Sequence, residues 1–331
     1  MGPDPAVAAV RLGVRRSLTR LDRGSLALAA CSGGPDSLAL AAALAFEAPR
    51  LGLRAGAVTV DHGLQPGSAD QADRVVGALR TLELDPVCRV RADVPARGDA
   101  AGYPGPEAAA RHARYAAIEA AAAECGAAAV LLGHTMDDQA ETVLLGLARG
   151  SGARSLAGMQ AAAGIYVRPL LGVKRAQTRA ACLALGLEPW DDPQNSDESF
   201  TRVRVRRHVL PLMEDLLGPG ITEALARTAD SLRADADVLD AVADEMAERF
   251  MPGCELTLDV AELAALPDAI RTRLLRRAAV AAGAPAGSLS WTHVQSLNEL
   301  VTAWHGQRWS DLPGGVRCHR RYGRLQFTTG S

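Results

Sequence analysis

The chain lacks any cysteine pair that suits a metal or a disulfide framework. Its six cysteines are scattered, with no CxxC and no other metal-ligand spacing. This spacing argues against zinc and iron-sulfur sites built from cysteine pairs. It indicates a chain that stays reduced, and we therefore expect a cytoplasmic protein.

Long apolar runs are also missing. Arginines interrupt the apolar N-terminal stretch before a signal-peptide core or a membrane span of about 20 residues could form. These arginines are Arg11, Arg15, Arg16, Arg20 and Arg23. The sequence therefore predicts a protein that stays where it is made and has no membrane partner.

Net charge is small and lysine is nearly absent. The formal charge is −2, which argues against a protein that coats nucleic acid by bulk electrostatics, although local basic surfaces remain available. Lys174 is the only lysine, so almost all positive charge is arginine. A length of 331 residues, with 48% hydrophobic and 22% charged residues, is typical of a globular protein of about two domains.

Short apolar runs alternate with helical segments over the first half of the chain. The predicted strands cover residues 25–30, 55–60, 87–90 and 128–132. The predicted helices cover residues 68–82, 107–125 and 137–149, and another follows the first strand. This order predicts an α/β domain with a mostly parallel sheet, whose ligands bind beyond the carboxyl ends of the strands.

The pattern changes near Pro211. Helical spacing of apolar residues covers 221–250, and a further helix is predicted over 269–282. Short alternating runs between residues 304 and 327 predict a few strands. We therefore expect an α/β domain over residues 1–215 and a smaller, mainly helical domain over 216–331.

A glycine-rich turn separates the first predicted strand from its helix. Free backbone N–H groups and the helix dipole make such a turn a site for anions. The turn lacks the GxxxxGK[ST] pattern, so the lysine that steadies a γ-phosphate is missing. An ordinary glycine turn capped by Asp36 or Ser37 is the alternative. The candidate nucleotide-binding residues are Ser32, Gly33, Gly34, Pro35, Asp36 and Ser37.

This turn resembles the SGGxDS signature of the PP-loop superfamily. Members of that superfamily split ATP between its α- and β-phosphates and make an adenylate. The resemblance implies an adenine nucleotide alpha hydrolase-like fold. It also implies that Asp36 helps to hold Mg²⁺ with pyrophosphate or orients a cationic substrate.

An acidic helix follows the fourth predicted strand. Asp137 and Glu141 are one helical turn apart, so both carboxylates lie on one face, where a metal ion or an ammonium group would relieve their repulsion. A solvated acidic first turn is the alternative. Four further candidates for the same site follow predicted strands: Asp61, His62, Gly133 and His134. We expect His134 to be neutral and hydrogen-bonded.

Arginine recurs at alternate positions after Phe200. Arg202, Arg204 and Arg206 would form one row of guanidinium groups if the segment were extended, and such a row suits phosphates. A solvated basic face on a linker is an equally good interpretation. Further arginines, between residues 271 and 277 and between 317 and 324, extend the basic candidates into the second domain.

Taken together, these motifs resemble the tRNA(Ile)-lysidine synthetase family. The match covers most of the first domain in family order and reaches into the second. It departs from the family at Arg202 and Arg204, where many members have an Arg-Asn-x-x-Arg arrangement. The chain resembles the shorter form of the family. The matching stretches are SGGPDS, VDHGLQPGSADQA, EAAARHARY, GHTMDDQAET, DDPQNSDESFTRVRVR and LPGGVRCHRRYGRLQF.

The resemblance implies a ligase that uses ATP and Mg²⁺. It would adenylate the C2 oxygen of the wobble cytidine in the tRNA(Ile) with a CAU anticodon, and free L-lysine would then displace AMP. Asp36, Asp137 and Glu141 become the catalytic candidates, with Asp36 and Asp137 as magnesium ligands. Arg111 becomes a candidate contact to tRNA or phosphate, and the second domain a candidate for tRNA recognition. The oligomeric state, including a homodimer, stays open.

Two other functions remain in view. A PP-loop tRNA thiolase has a similar loop and acidic helix, but such enzymes generally need cysteine pairs, which are missing here. A nucleotide- and RNA-binding module without turnover is the other, and the complete set of Asp36, Asp137 and Glu141 argues against it.

Overall fold

A computed structural model describes residues 2–61, 63, 67–92, 106–150, 152–251 and 256–329. The chain forms two compact units. Unit 1 comprises Met1–Thr142 and Met159–Ala226, and unit 2 comprises Val143–Gly158 and Arg227–Ser331. The predicted domain limits, 1–215 and 216–331, stay a prediction.

Unit 1 contains a six-stranded sheet in the order β3-β2-β1-β4-β6-β5. Its pairs are parallel except for β5 with β6, so the predicted parallel sheet is confirmed. The strands are β1 (Leu26–Ala30), β2 (Arg54–Asp61), β3 (Val87–Arg91), β4 (Ala127–Leu132), β5 (Ala162–Ala163) and β6 (Tyr166–Val167).

Helices cover both faces of this sheet, because successive strand residues point to opposite sides. In β1, Ala27 and Ala29 join one apolar core, whereas Leu26 and Leu28 join another. Helices α1, α2 and α7 contribute to the first core, and α4 contributes to the second. The helices that begin in unit 1 are α1 (Pro5–Leu18), α2 (Pro35–Glu47), α3 (Ser68–Thr81), α4 (Pro106–Glu124), α5 (Met136–Ala148), α7 (Arg175–Ala184), α8 (Thr201–Arg204), α9 (Leu210–Leu217) and α10 (Ile221–Phe250).

Four helices of unit 1 were not predicted from the sequence: α1, α7 and the short helices α8 and α9. Helix α1 buries a stripe formed by Val7, Val10, Val14 and Leu18, at the spacing of a helix face. Helix α7 buries Thr178, Ala181 and Cys182. It packs on α1 and α2 and so adds to the layer that covers β1.

Unit 2 combines helices with a small antiparallel sheet in the order β7-β10-β9-β8. Leucines such as Leu274, Leu297 and Leu325 are fully buried in its core. Its further elements are α6 (Ala153–Leu156), β7 (Thr257–Asp259), α11 (Val260–Ala264), α12 (Asp268–Ala281), α13 (Trp291–Thr302), β8 (Trp309–Asp311), β9 (Val316–Arg321) and β10 (Arg324–Thr329). Across the described residues, no helix is both long and apolar enough to cross a membrane.

Candidate active site

The glycine-rich turn lies between the end of β1 and the start of α2. Gly34 is the N-cap of α2 and Pro35 occupies its first turn, so the first backbone N–H groups of the helix have no partner within it. The Ser37 hydroxyl closes the turn: it accepts from the Ser32 N–H at 3.2 Å and donates to the Gly34 carbonyl at 3.0 Å. The turn thus has the local geometry of an anion site.

Two glycines are required by close approach. Gly33 has a φ of +87°, and a Cβ there would lie 2.7 Å from Cγ2 of Val75. Gly133 follows β4, and a Cβ there would lie 3.1 Å from the Ser37 backbone nitrogen. The end of β4 therefore meets the turn through bare backbone, and a side chain at Gly133 would force the turn to shift.

Asp36 stands in the first turn of α2, and its side chain is only 22% exposed. It accepts a hydrogen bond from the Thr178 hydroxyl, and Nε of Arg175 lies 3.6 Å from its Oδ2. Burial raises the pKa of Asp36 to about 6, against the opposing effects of Thr178 and Arg175. The carboxylate is therefore mostly ionised at pH 7 and titrates just below it.

Arg175 is the centre of the acidic cluster. Its guanidinium lies 2.7 Å from Oδ1 of Asp138 and 3.3 Å from Oε1 of Glu141, in addition to its contact with Asp36. Its backbone N–H donates to Oδ2 of Asp137 at 2.8 Å. An arginine of the chain itself therefore supplies the positive charge that the spacing of Asp137 and Glu141 called for.

Glu141 has a fully buried side chain that accepts from a second arginine. Nε of Arg206 lies 2.7 Å from its Oε1, and Nη2 of Arg206 lies 3.1 Å from its Oε2. This two-point contact is the strong form of an arginine–carboxylate pair. With Arg175 on the other side, the buried charge of Glu141 is compensated.

Asp138 fixes the beginning of α5. Its Oδ2 accepts from both the backbone N–H and the hydroxyl of Thr135, each at 2.8 Å. Burial favours the neutral form of Asp138, but Arg175 and the Thr135 N–H outweigh burial and hold its pKa below the usual value. Asp138 is therefore an anion that ties Arg175 to α5.

The arginine segment is helical and not extended. Residues Thr201–Arg204 form α8, and Val205–Val209 continue as a π-helical turn. Residues two apart on a helix point in different directions, so Arg202, Arg204 and Arg206 do not form the row that an extended segment would give.

The three arginines make separate contacts. Arg202 donates to the Thr142 hydroxyl at 3.3 Å, Arg204 donates to the Glu198 carbonyl at 2.7 Å, and Arg206 turns toward α5. Their roles in RNA binding stay predictions.

The remaining residues predicted for the site do not all lie in one place. Asp61 accepts from the Gly63 N–H at 3.0 Å and is not among the described residues that line the cavity defined below. His62 lies outside the described residues. Arg111 is exposed on α4, with its guanidinium 5.1 Å from the Tyr115 ring centroid. Burial, the largest influence, lowers the pKa of His134 to about 4, which favours the expected neutral form. The expected hydrogen bond is not seen at Nδ1, which is buried without a partner among the described residues.

A cavity of about 710 Å³ joins these parts within unit 1. Its apolar walls come from Val58 and Val60 of β2, Ile118 of α4 and Leu132 of β4. Its polar lining includes Ser32, Asp36, Ser37, Arg114, His134, Asp138, Arg175 and Arg206. The turn, Arg175 and Asp138 therefore share one cleft, whereas Asp137 and Glu141 are not among its described lining residues.

Sequence reasoning missed Arg175 and Thr178, because both lie on the unpredicted helix α7. It gave Asp138 no role in the site, whereas the side chain of Asp138 is 12% exposed and ion-paired. One signal was available in the sequence. Buried carboxylates require a cation, and Arg175, which follows the loop after β6, could have been proposed as that cation.

Comparison with known proteins agrees with this arrangement. A family model described as a PP-loop domain matches residues 13–213, and one described as the TilS substrate binding domain matches residues 258–326. The tRNA(Ile)-lysidine synthase of Thermobifida fusca is 60% identical over 324 residues, which cover 98% of each chain. That of Streptomyces coelicolor is 53% identical and covers 100% of each chain.

One solved structure is similar to this chain in fold alone. The U34-tRNA thiolase NcsA from Methanococcus maripaludis, which carries a [4Fe-4S] cluster, superposes with a TM-score of 0.57 at 18% identity. The match covers 69% of this chain and 79% of the thiolase. This likeness supports the PP-loop fold and gives no support to thiolase activity here.

The fold and the turn between β1 and α2 define a PP-loop enzyme that uses ATP. Within that class, the chain belongs to the tRNA(Ile)-lysidine synthase family. The prediction of a ligase that modifies tRNA by forming lysidine is therefore confirmed at the level of the family.

Proposed function

We propose that this chain adenylates the C2 oxygen of the wobble cytidine in CAU-anticodon tRNA(Ile) and then joins free L-lysine to that carbon, with release of AMP and pyrophosphate. One observation carries the proposal: Asp36 of the phosphate-binding turn contacts Arg175, which also holds Asp138 and Glu141 of α5. An anion site and a charged cluster therefore meet in one cavity.

The cavity suits ATP in two ways. The turn that contains Ser32 and Ser37 presents backbone N–H groups to phosphates at the start of α2. The apolar walls from Val58, Val60 and Leu132 suit the flat face of a base. Since no lysine follows the turn, the site favours binding of pyrophosphate over transfer of a γ-phosphate.

Asp36 is our candidate ligand for Mg²⁺. Among the described residues, no three His, Cys, Asp or Glu side chains form a cluster that could hold a metal. Mg²⁺ on a nucleotide needs only one or two carboxylates, because phosphates and water supply the rest, so Asp36 fits such an ion. The bound ion would neutralise phosphate charge. Asp137 is the second candidate. The Arg175 N–H donates to its Oδ2, so its other oxygen, Oδ1, is the one that would bind a cation.

The buried cluster supports a division of roles. Glu141 is fully buried, and its carboxylate contacts the guanidinium groups of Arg175 and Arg206. We therefore assign it to positioning these two arginines. Both arginines line the cavity, where fixed positive charge stabilises the phosphate negative charge that develops during adenylation. Asp36 and Asp137 are left to receive the lysine ammonium or the metal.

The partners belong to the same proposal. The target base must leave its stack to enter a cavity, which single-stranded loop bases do readily. Free L-lysine is the second substrate, and the TilS substrate binding domain over residues 258–326 is the proposed tRNA-recognition part. The cytoplasm is the compartment where these substrates meet.

Purified protein mixed with ATP, Mg²⁺, lysine and unmodified tRNA(Ile) tests the proposal. We expect AMP release that depends on both lysine and RNA, with lysine attached to the RNA. AMP release that depends on a sulfur donor would indicate a thiolase. Binding of ATP and RNA without turnover would indicate a non-catalytic nucleotide- and RNA-binding module. Either result, or the absence of lysine on the RNA, contradicts the proposal.

A further inference from the structure

Two orphaned buried atoms lie at the ends of neighbouring strands. Among the described residues, Nδ1 of His134 and Nε of Arg168 are buried without a hydrogen-bond partner. His134 follows β4 and Arg168 follows β6, which pair in parallel with Leu131 opposite Val167. A buried polar atom without a partner costs free energy, so two at one edge of the sheet point to a ligand.

Arg114 on α4 is a partly buried cation that also lacks a polar partner among the described residues. It lines the cavity, and no carboxylate in the described part of the chain pairs with it. Its recorded contact is with the Tyr115 ring, whose centroid lies 5.7 Å away. Burial lowers the pKa of Arg114, but a guanidinium stays charged in proteins. An uncompensated buried charge is costly, so Arg114 also requires an anion.

Packing brings these groups to one place. The rings of Tyr115 on α4 and Tyr166 on β6 are 5.0 Å apart, and the Tyr166 hydroxyl lies 3.3 Å from the Tyr115 carbonyl. Arg168 directly follows β6, and its Nη1 donates to the Gln160 carbonyl at 2.9 Å, which holds the guanidinium at this strand end. Arg111 lies one turn before Tyr115 and next to Arg114 on the helix.

Electrostatics agrees with this geometry. After burial, the influences that lower the pKa of His134 are the charges of Arg168, Arg111 and Arg114, whereas Asp138 acts in the opposite direction. The charges of the three arginines therefore reach a histidine that stays neutral at physiological pH. A neutral imidazole can donate to a phosphate oxygen without adding charge.

We propose a second phosphate subsite at the edge of this cavity, which holds a phosphodiester of the RNA strand beside the base that is modified. We call it the arginine subsite: Arg114 and His134 line the cavity, and Arg111 and Arg168 add positive charge beside them. The inference rests on the proposed function, because it names the part of the site that receives the RNA backbone.

An RNA phosphate fits better than a phosphate of ATP. The turn that receives ATP follows β1, whereas Arg168 follows β6, two strand spacings or about 10 Å away, and His134 follows β4 between them. The subsite also runs from the exposed Arg111 to the partly buried Arg114, as a strand entering from solvent requires. Guanidinium groups suit phosphates through paired hydrogen bonds.

The test compares Arg114→Met with wild-type enzyme. We expect binding of unmodified tRNA(Ile) to weaken by about tenfold or more, because one charge-assisted contact is lost. The slope of log affinity against log salt should fall by about 0.7. Affinity for ATP without RNA should stay within about twofold. Without RNA, the unfolding midpoint should rise, because the variant removes an uncompensated buried charge.

Two further variants complete the test. Arg16→Met removes an exposed arginine from α1 and should leave RNA affinity unchanged. Arg114→Lys keeps the charge and should restore part of the affinity. Unchanged RNA affinity in Arg114→Met, or a tenfold loss of ATP affinity without RNA, would overturn the subsite. That failure differs from failure of the proposed function, in which the wild-type enzyme attaches no lysine.

Discussion

Nη2 of Arg175 lies 2.7 Å from Oδ1 of Asp138, and this contact joins α7 to the acidic helix α5. Arg175→Met would leave Asp138 and the fully buried Glu141 short of a counter-charge. We expect a loss of about 3–5 kcal/mol in the free energy of unfolding, measured by denaturant titration. Arg179→Met is the control: its pair with Asp191 is exposed, so the change should stay below about 1 kcal/mol. Equal losses in both variants would contradict the assignment.

Asp36→Asn should stabilise the fold while it removes activity. The pKa of Asp36 is raised to about 6, from about 3.9 in an unfolded chain, so ionisation favours the unfolded state. This cost is absent below about pH 4, grows as the pH rises, and is complete above about pH 6. The variant should therefore be more stable than wild type by up to about 3 kcal/mol at pH 8 and equal at pH 4. A difference that does not vary with pH would count against the raised pKa.

The rate of adenylation should fall at acid pH, because a protonated Asp36 loses the charge that would hold Mg²⁺. The ion competes with the proton, so the midpoint should lie below the pKa of about 6 that burial gives the metal-free carboxyl, and it should fall further with more Mg²⁺. His134, with a pKa of about 4, stays neutral over this range. His134→Asn should therefore leave unchanged the pH midpoint of the fall in rate at acid pH, which we call the acidic limb, whatever it does to the rate itself. Measurement of single-turnover rates between pH 5 and 8 checks this, and a midpoint that moves with His134 would assign the limb to the histidine.

Gly33→Ala should damage the turn. A methyl group there would lie 2.7 Å from Val75, at a φ of +87° that alanine adopts with strain. We expect a loss of about 1–3 kcal/mol in the free energy of unfolding together with weaker ATP binding. Gly77→Ala in α3 is the matched control, since nothing lies within 4 Å and alanine favours the helix by about 1 kcal/mol. A neutral Gly33→Ala would show that the turn tolerates a side chain.

Much of unit 1 was predictable, because local pattern and packing agree there. The run before Ser32 is apolar and short, and the glycines after it demand a turn, so β1, the turn and α2 follow directly. Helix α7 was not predictable in the same way. It is short, Lys174 takes the N-cap position where Ser, Thr, Asp or Asn is usual, and its stability comes from packing on α1 and α2.

The arginine segment shows how a period can mislead. Alternation of arginine with Val203 and Val205 suggested an extended chain, yet both valines are buried from a helix whose next turn is π-helical. A π-helical turn holds one more residue than an α-helical turn and so changes which positions share a face; Arg206 lies in this turn and pairs with Glu141. Contacts of this kind join residues far apart in the chain, so sequence spacing carries no record of them.

The most direct measurement follows label from the α-phosphate of ATP. Protein, Mg²⁺ and unmodified tRNA(Ile) are incubated without lysine, and the RNA is then assayed for bound AMP. The account predicts labelled RNA that loses its label as AMP when lysine is added, and no labelled RNA with a folded Asp36→Ala variant. Wild-type labelling by Asp36→Ala, or no transfer of label to RNA by the unaltered enzyme, would contradict it.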